Sequence, residues 1–326
     1  MRQSIHRLVF PLAKLAILAL VLWGGHRTIA RGINELSQHG WTLGKLQPSW
    51  AAVSAGLYLI SQLPSGWFWH SVLVRMNQPV GLLRALRAYY IGHLGKYVPG
   101  KAMVVVLRAA LVGQPRVKTT MAVIAVFYET FTTMAVGALL AALVLLATHR
   151  EQTWLIGGSL ALSLLVGLPT LPPVFARLLR LMRIIAPNSA DDTTEPAPTI
   201  HLHAGLLIRG WTTIAIGWAL AGASLWSALR AIGVDSTNSL ADLPLCTATV
   251  ALAVVLGFVS MLPAGVGVRD VALMELLAPR LEQLMPHQGE LLALVAVVVL
   301  RLIWLAAEAA LTAVLYPLGR THPKRA

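Results

Sequence analysis

Acid is what this 326-residue chain has least of: 13 Asp and Glu stand against 26 Lys and Arg. None of the acids falls between Glu35 and Glu129. Charged residues of both signs make up only 12%, where a soluble globular chain carries about 25%. That deficit excludes a soluble enzyme and a disordered chain. A single cysteine, Cys246, excludes a disulfide scaffold and leaves the redox compartment open. There is no Gly-x-Ser-x-Gly, no Walker loop, no His-Glu-x-x-His and no aspartate-rich magnesium motif. No catalytic constellation emerges, so the chain is expected not to be an enzyme and to need no cofactor or metal. What is abundant is apolar. Hydrophobic residues make up 57% and mean hydropathy is +0.71, the profile of a multi-pass membrane protein. A net charge of +13 would suggest nucleic acid in a soluble chain. Here it reads as basic cytoplasmic loops facing anionic headgroups, and no nucleic-acid partner is expected.

A spanning helix needs about 20 mostly apolar residues. Seven stretches qualify: roughly Leu8 to Gly25, Trp50 to Val74, Thr119 to Ala147, Thr153 to Leu171, Ala204 to Ile232, Leu243 to Leu262 and Gly289 to Leu318. Pro64 and Gly66 interrupt the second. Lys14, inside the first, is close enough to a helix end to snorkel. The N-terminus, with Arg2, His6 and Arg7 before an apolar run, reads as an uncleaved signal-anchor. The basic run from Arg75 to Lys118 and the arginines 177, 180 and 183 belong on the cytoplasmic side, with the N-terminus. The basic tail (Arg320, Lys324, Arg325) would then lie outside, unless an eighth crossing or paired re-entrant helices intervene. Residues 187–199, rich in proline and turn formers, read as a polar linker between a first half (1–186) and a second half (200–326). The expected fold is an all-α polytopic membrane protein. It has about 7–8 transmembrane helices and two Pro/Gly-broken, re-entrant helical segments in two similar halves.

Those two breaks are the most informative features. The first runs Leu94-Gly95-Lys96-Tyr97-Val98-Pro99-Gly100-Lys101 and leads into Ala102 to Val112. The second runs from Ser260 through Pro263, Gly265, Gly267, Arg269 and Asp270, and leads into Val271 to Leu277. Paired Gly/Pro-interrupted segments in corresponding places point to a transporter-type site. A helix restarted after a break presents unpaired N–H groups, which suit a phosphate or carboxylate. Lys101, Arg108 and Arg269 are therefore candidates to hold a lipid phosphate. The plainer alternative is a pair of interfacial helices whose basic residues snorkel.

Glu129, Arg301 and Glu308 sit near the middle of their spans, where an ionisable residue should face the protein interior. Arg301 and Glu308 are roughly 10 Å apart along the axis and are not expected to pair directly. Glu129, Asp270 and Glu308 are candidates to receive a cationic headgroup or couple to protons; a structural ion pair is the alternative for the buried acids. His201 and His203 lack an acidic or cysteine companion, so metal binding is not expected. Asp191-Asp192 reads as solvated, and His93 as an interfacial histidine. Gly217 and Gly222 would let helices approach closely.

At the breaks the sequence resembles a known family. Gly92 to Lys101 with Arg108 resembles its first signature, and Pro263-x-Gly265-x-Gly267-x-Arg269-Asp270 resembles its second, P-x-G-x-G-x-R-[ED]. Tyr128-Glu129 looks like the glutamate of its central helix. The family is the lysylphosphatidylglycerol synthase transmembrane, flippase-like family. Asp270 stands where glutamate is usual, keeping the charge and shortening the reach. The resemblance implies a membrane part that moves a phospholipid. The soluble aminoacylating domain has no counterpart here, so lipid aminoacylation is not expected. The expected function is binding and translocation of a phospholipid or isoprenoid-linked lipid in the inner membrane, with membrane lipids as partners. The alternative is a non-transporting accessory subunit of a lipid-modifying or glycosyltransferase enzyme. A membrane transferase is the third reading, disfavoured by the missing motifs. Oligomeric state is left open.

Overall fold

A computed structural model describes residue 34 and residues 43–98, 102–113, 117–148, 153–185, 204–234, 240–262, 265 and 267–318, without side chains for 179–185. Every described element is helical. In chain order they are α1 Pro48–Ser61, α2 Leu63–Arg75, α3 Leu82–His93, α4 Ala102–Val112, α5 Thr119–Thr148, α6 Thr153–Gly167, α7 Pro172–Ile185, α8 Ala204–Ala231, α9 Leu243–Val259, α10 Val268–Leu284 and α11 Gly289–Leu318. Among the described residues, five segments are long and apolar enough to cross a membrane: Thr119–Ala147, Thr153–Thr170, Ala204–Ala231, Leu240–Val259 and Gly289–Leu318. They coincide with the last five expected spans. The protein is a helical membrane protein. The expected span Leu8 to Gly25, the linker 187–199 and the basic tail lie outside the described residues.

The second expected span is not one straight helix. It divides at Gln62 into α1 and α2, neither of which is 18 residues long. Pro64 is the cause, because it cannot donate to the carbonyl one turn back. The carbonyls on either side of Ile60 face neighbouring helices. Tyr90 Oη donates to the Leu59 carbonyl at 2.6 Å, and the Ser61 carbonyl faces Gly217, where an added Cβ would lie 2.8 Å away. The arginines after the fourth span, expected in a loop, belong to α7. Two prolines open that helix, and its apolar residues recur at helical spacing between the basic ones, the pattern of an interfacial amphipathic helix.

Lipid tails are as apolar as leucine, so burial in a bilayer is driven by close packing rather than by water. Small residues do this here. Gly222 lies against the Thr247 backbone, and an added Cβ would stand 2.6 Å from the Thr247 Cα. Gly210 receives the Phe68 ring and Gly137 the Trp218 indole. The close approaches expected for Gly217 and Gly222 are thus present. The central helix α8 packs on α1, α2 and α9, and α5 packs on α6 and α9.

The helices on either side of each break run antiparallel and close together. In the first, Gly92 faces Arg108 and Gly95 faces Val104, so α3 and α4 run back to back. In the second, Gly265 faces Gly257, and Arg280 pairs with Asp242 at 2.9 Å at the far end, so α9 and α10 are antiparallel too. Gly265 has φ +67°, and an added Cβ would stand 2.8 Å from the Gly257 Cα. Only glycine satisfies both conditions. The helix after the second break spans Val268–Leu284, 17 residues, longer than the expected Val271 to Leu277, because Asp270 stabilises an earlier start. Its carboxylate accepts the Gly267 N–H at 2.9 Å.

Candidate functional site

Three carboxylates, two buried and one half-buried, each hold a cation. The first is Glu129 on α5. Arg108 Nη1 on α4 donates to its Oε2 at 2.8 Å, and both side chains are 3% exposed. Tyr89 Oη and Thr133 Oγ1 each donate to Glu129 Oε1 at 3.1 Å. The Arg108 guanidinium lies 3.8 Å from the Tyr89 ring centroid, a cation–π contact in a dry setting. Gly92 makes room for it, since an added Cβ would stand 2.5 Å from the Arg108 Cγ.

The second carboxylate is Glu308 on α11. Lys96, from the 3₁₀ turn Leu94–Tyr97 of the first break, donates to it. Tyr58 Oη donates to the same oxygen, and Tyr97 Oη donates to the other at 2.9 Å. His93 Nε2 stands 3.8 Å away. The third is Asp270, whose two oxygens both meet Arg301 Nη2. Arg301 and Glu308 do not pair with each other, as expected. Arg301, Trp304 and Glu308 lie at i, i+3 and i+7, so one face of α11 meets both breaks. Arg87 keeps α11 in place by donating to the carbonyls of Leu315 at 2.8 Å and Tyr316 at 3.0 Å near the helix end.

Arg269 is different. It is 8% exposed and makes no ion pair or hydrogen bond among the described residues. Its Nε has no hydrogen-bond partner, and its guanidinium carbon lies 5.5 Å from the Trp304 ring. Between these groups lies a cavity of roughly 410 Å³. Lys96, Arg108 and Glu129 from the first half reach it, and Arg269 and Trp304 from the second. Phe127 and Met261 also line it and are 47% and 63% exposed, which gives the cavity an apolar rim at the protein surface.

The structure thus brings Arg108, Glu129 and Arg269 to one cavity and sets Asp270 and Glu308 beside it. Gly265 and Gly267 adopt the positive φ values of a true backbone break, +67° and +85°. Pro99, Gly100, Lys101 and Pro263 lie outside the described residues, as do Asp191, Asp192, His201 and His203. Sequence reasoning missed Lys96 as the partner of Glu308, and missed Tyr58, Tyr89 and Tyr97. Lys96 and Tyr97 were visible inside the first break. Nothing in an apolar helix marks Tyr58 or Tyr89 as carboxylate ligands until tertiary structure brings them to one.

Residues 11–307 match the family described as the lysylphosphatidylglycerol synthase TM region. The chain belongs to that family. A comparison with curated proteins finds no match. Membership makes this a membrane protein of lipid-related function. It also gives both signature breaks a shared setting, because the LPG synthase TM match encloses all three ion pairs except for Glu308, one residue beyond its end.

Proposed function

We propose that the chain binds a phospholipid or isoprenoid-linked lipid in the central cavity and moves it across the inner membrane. The observation that carries this reading is Arg269, a buried cation without a counter-ion among the described residues, on the wall of a cavity with an apolar rim. Intramembrane charges mark substrate pathways by default. A lipid phosphate supplies the missing anion, and acyl chains suit the rim at Phe127 and Met261. The short helices after the two breaks, α4 and α10, are read as re-entrant. Helix α4, at 11 residues, is about 16 Å long, half the hydrocarbon thickness of about 30 Å. Its antiparallel partner α3, at 12 residues, is about 18 Å long, also short of the bilayer, so this hairpin enters and leaves on one side. The basic residues of that segment assign the side to the cytoplasm, with the N-terminus.

The test is translocation in liposomes carrying headgroup-labelled lipids, with purified protein shown to be monodisperse. Movement that is lost in Arg269→Ala supports the reading. Protein that is folded yet moves no lipid sinks it, and directs the search to a lipid-modifying or glycosyltransferase enzyme that this chain would serve as an accessory subunit.

A further inference from the structure

The charges around the cavity can be matched one by one. Glu129 has Arg108, Glu308 has Lys96 and Asp270 has Arg301. Among the described residues, four buried or half-buried cations face three carboxylates, and the cation left over is Arg269. Lys96 and Arg301 both feel its charge. A cationic headgroup entering this site would need a free carboxylate. Every described carboxylate there already has a cation, and drawing one away would leave Arg108, Lys96 or Arg301 unpaired at low dielectric, a costly arrangement.

We infer that the site selects a lipid of net negative charge, a phosphodiester with an uncharged headgroup, over zwitterionic and cationic lipids. This deepens the translocation reading and rests on it for its transport arm. The acids Glu129, Asp270 and Glu308 then serve as internal counter-ions that keep three cations from competing for the phosphate. Among the described residues, Arg269 supplies the charge that the lipid answers. The hydroxyls of Thr130 and Thr133 and the amide of Gln62, which also line the cavity, suit a headgroup bearing hydroxyls.

The experiment compares acyl-chain-labelled phosphatidylglycerol, phosphatidylcholine and a lysyl ester of phosphatidylglycerol in the same liposomes. Phosphatidylglycerol should move about tenfold faster or more than the other two, the scale expected of one poorly screened charge pair. In Arg269→Gln the phosphatidylglycerol rate should fall to within about twofold of the other two. That variant removes an unanswered buried charge, so it should melt at or above the wild-type temperature, which separates loss of selectivity from loss of fold. If the zwitterionic or cationic lipid moves as fast as the anionic one, the charge assignment is overturned while translocation stands. If no lipid moves, translocation falls, and the charge assignment is decided by titrating the same protein with dihexanoyl phosphatidylglycerol, dihexanoyl phosphatidylcholine and inorganic phosphate. Preference for the anionic lipid, lost in Arg269→Gln, supports the inference. Equal binding of the two lipids, or of neither, overturns it. Inorganic phosphate binding as tightly as phosphatidylglycerol overturns the lipid as the source of the anion.

Discussion

The two broken hairpins share a recipe and differ in what they do with their arginine. In the first, a break is followed by the short helix α4, whose Arg108 reaches Glu129 on the next helix and is locked there by Tyr89 and Thr133. In the second, a break is followed by the longer helix α10, whose Arg269 reaches no acid among the described residues. Its neighbour Asp270 instead turns to Arg301 and to the Gly267 amide. A glycine lets the arginine approach in both: Gly92 stands against Arg108, and Gly257 against Arg269. The lesson is that a break motif delivers a cation to the bundle centre, and the neighbouring helix decides whether that cation is structural or available. A paired arginine holds two elements together. An unpaired one at the same depth costs stability and is retained where a ligand completes it.

The sharpest way to break this contrast is Glu129→Gln, which leaves Arg108 buried and uncompensated. It should cost about 3–5 kcal/mol of stability, the penalty for removing one partner of a buried pair. The double change Glu129→Leu with Arg108→Met should recover most of that loss, because it removes both charges at once. Thermal melting in mild detergent reads both. Equal melting of the single variant and wild type would mean that the pair is not the lock of the first hairpin.

A smaller effect is expected at the second hairpin. Asp270→Asn weakens the Arg301 pair, whose side chains are 18% and 19% exposed, and leaves a poorer helix cap. The expected loss is about 1 kcal/mol. A loss as large as that of Glu129→Gln would erase the distinction between the two hairpins.

The smallest effect lies at the far end of α10. Glu282 accepts the N–H groups of His287 at 2.7 Å and Gly289 at 2.8 Å, at the start of α11. Those two hydrogen bonds to the charged form hold its carboxyl below the usual range. A lowered folded pKa contributes stability that is fully present above the ordinary glutamate value of about 4.3. That contribution is lost as pH falls through the lowered value. Melting curves through this acid range should be slightly steeper in pH for wild type than for Glu282→Gln. Identical pH dependence would show that the cap contributes nothing.

Much of the fold was legible in the residues. The five long apolar helices fall where hydropathy places them, because insertion into a bilayer depends on a local sum over about 20 residues. The two breaks were legible for the same reason, since proline and glycine act on the backbone where they stand. The kink at Gln62 was half legible: Pro64 announced an interruption, and Tyr90 with Gly217 decided that the chain could bend there without losing its place in the bundle. The candidate site was legible as a set of ionisable residues at membrane depth, and Arg108, Arg269 and Glu129 do reach one cavity.

Their roles were not legible. Lys96 and Glu308 are 212 residues apart in the chain, and Tyr58 and Glu308 are 250 apart. No periodicity connects them. Composition and local pattern therefore determine that this chain enters a membrane, where it breaks and which charges enter with it. Tertiary structure alone decides which charge meets which, because ion pairing at low dielectric acts over a few ångströms between side chains that the sequence keeps far apart. Among the described residues that pairing is complete for three carboxylates and missing for Arg269, and no local pattern in the sequence announces the difference.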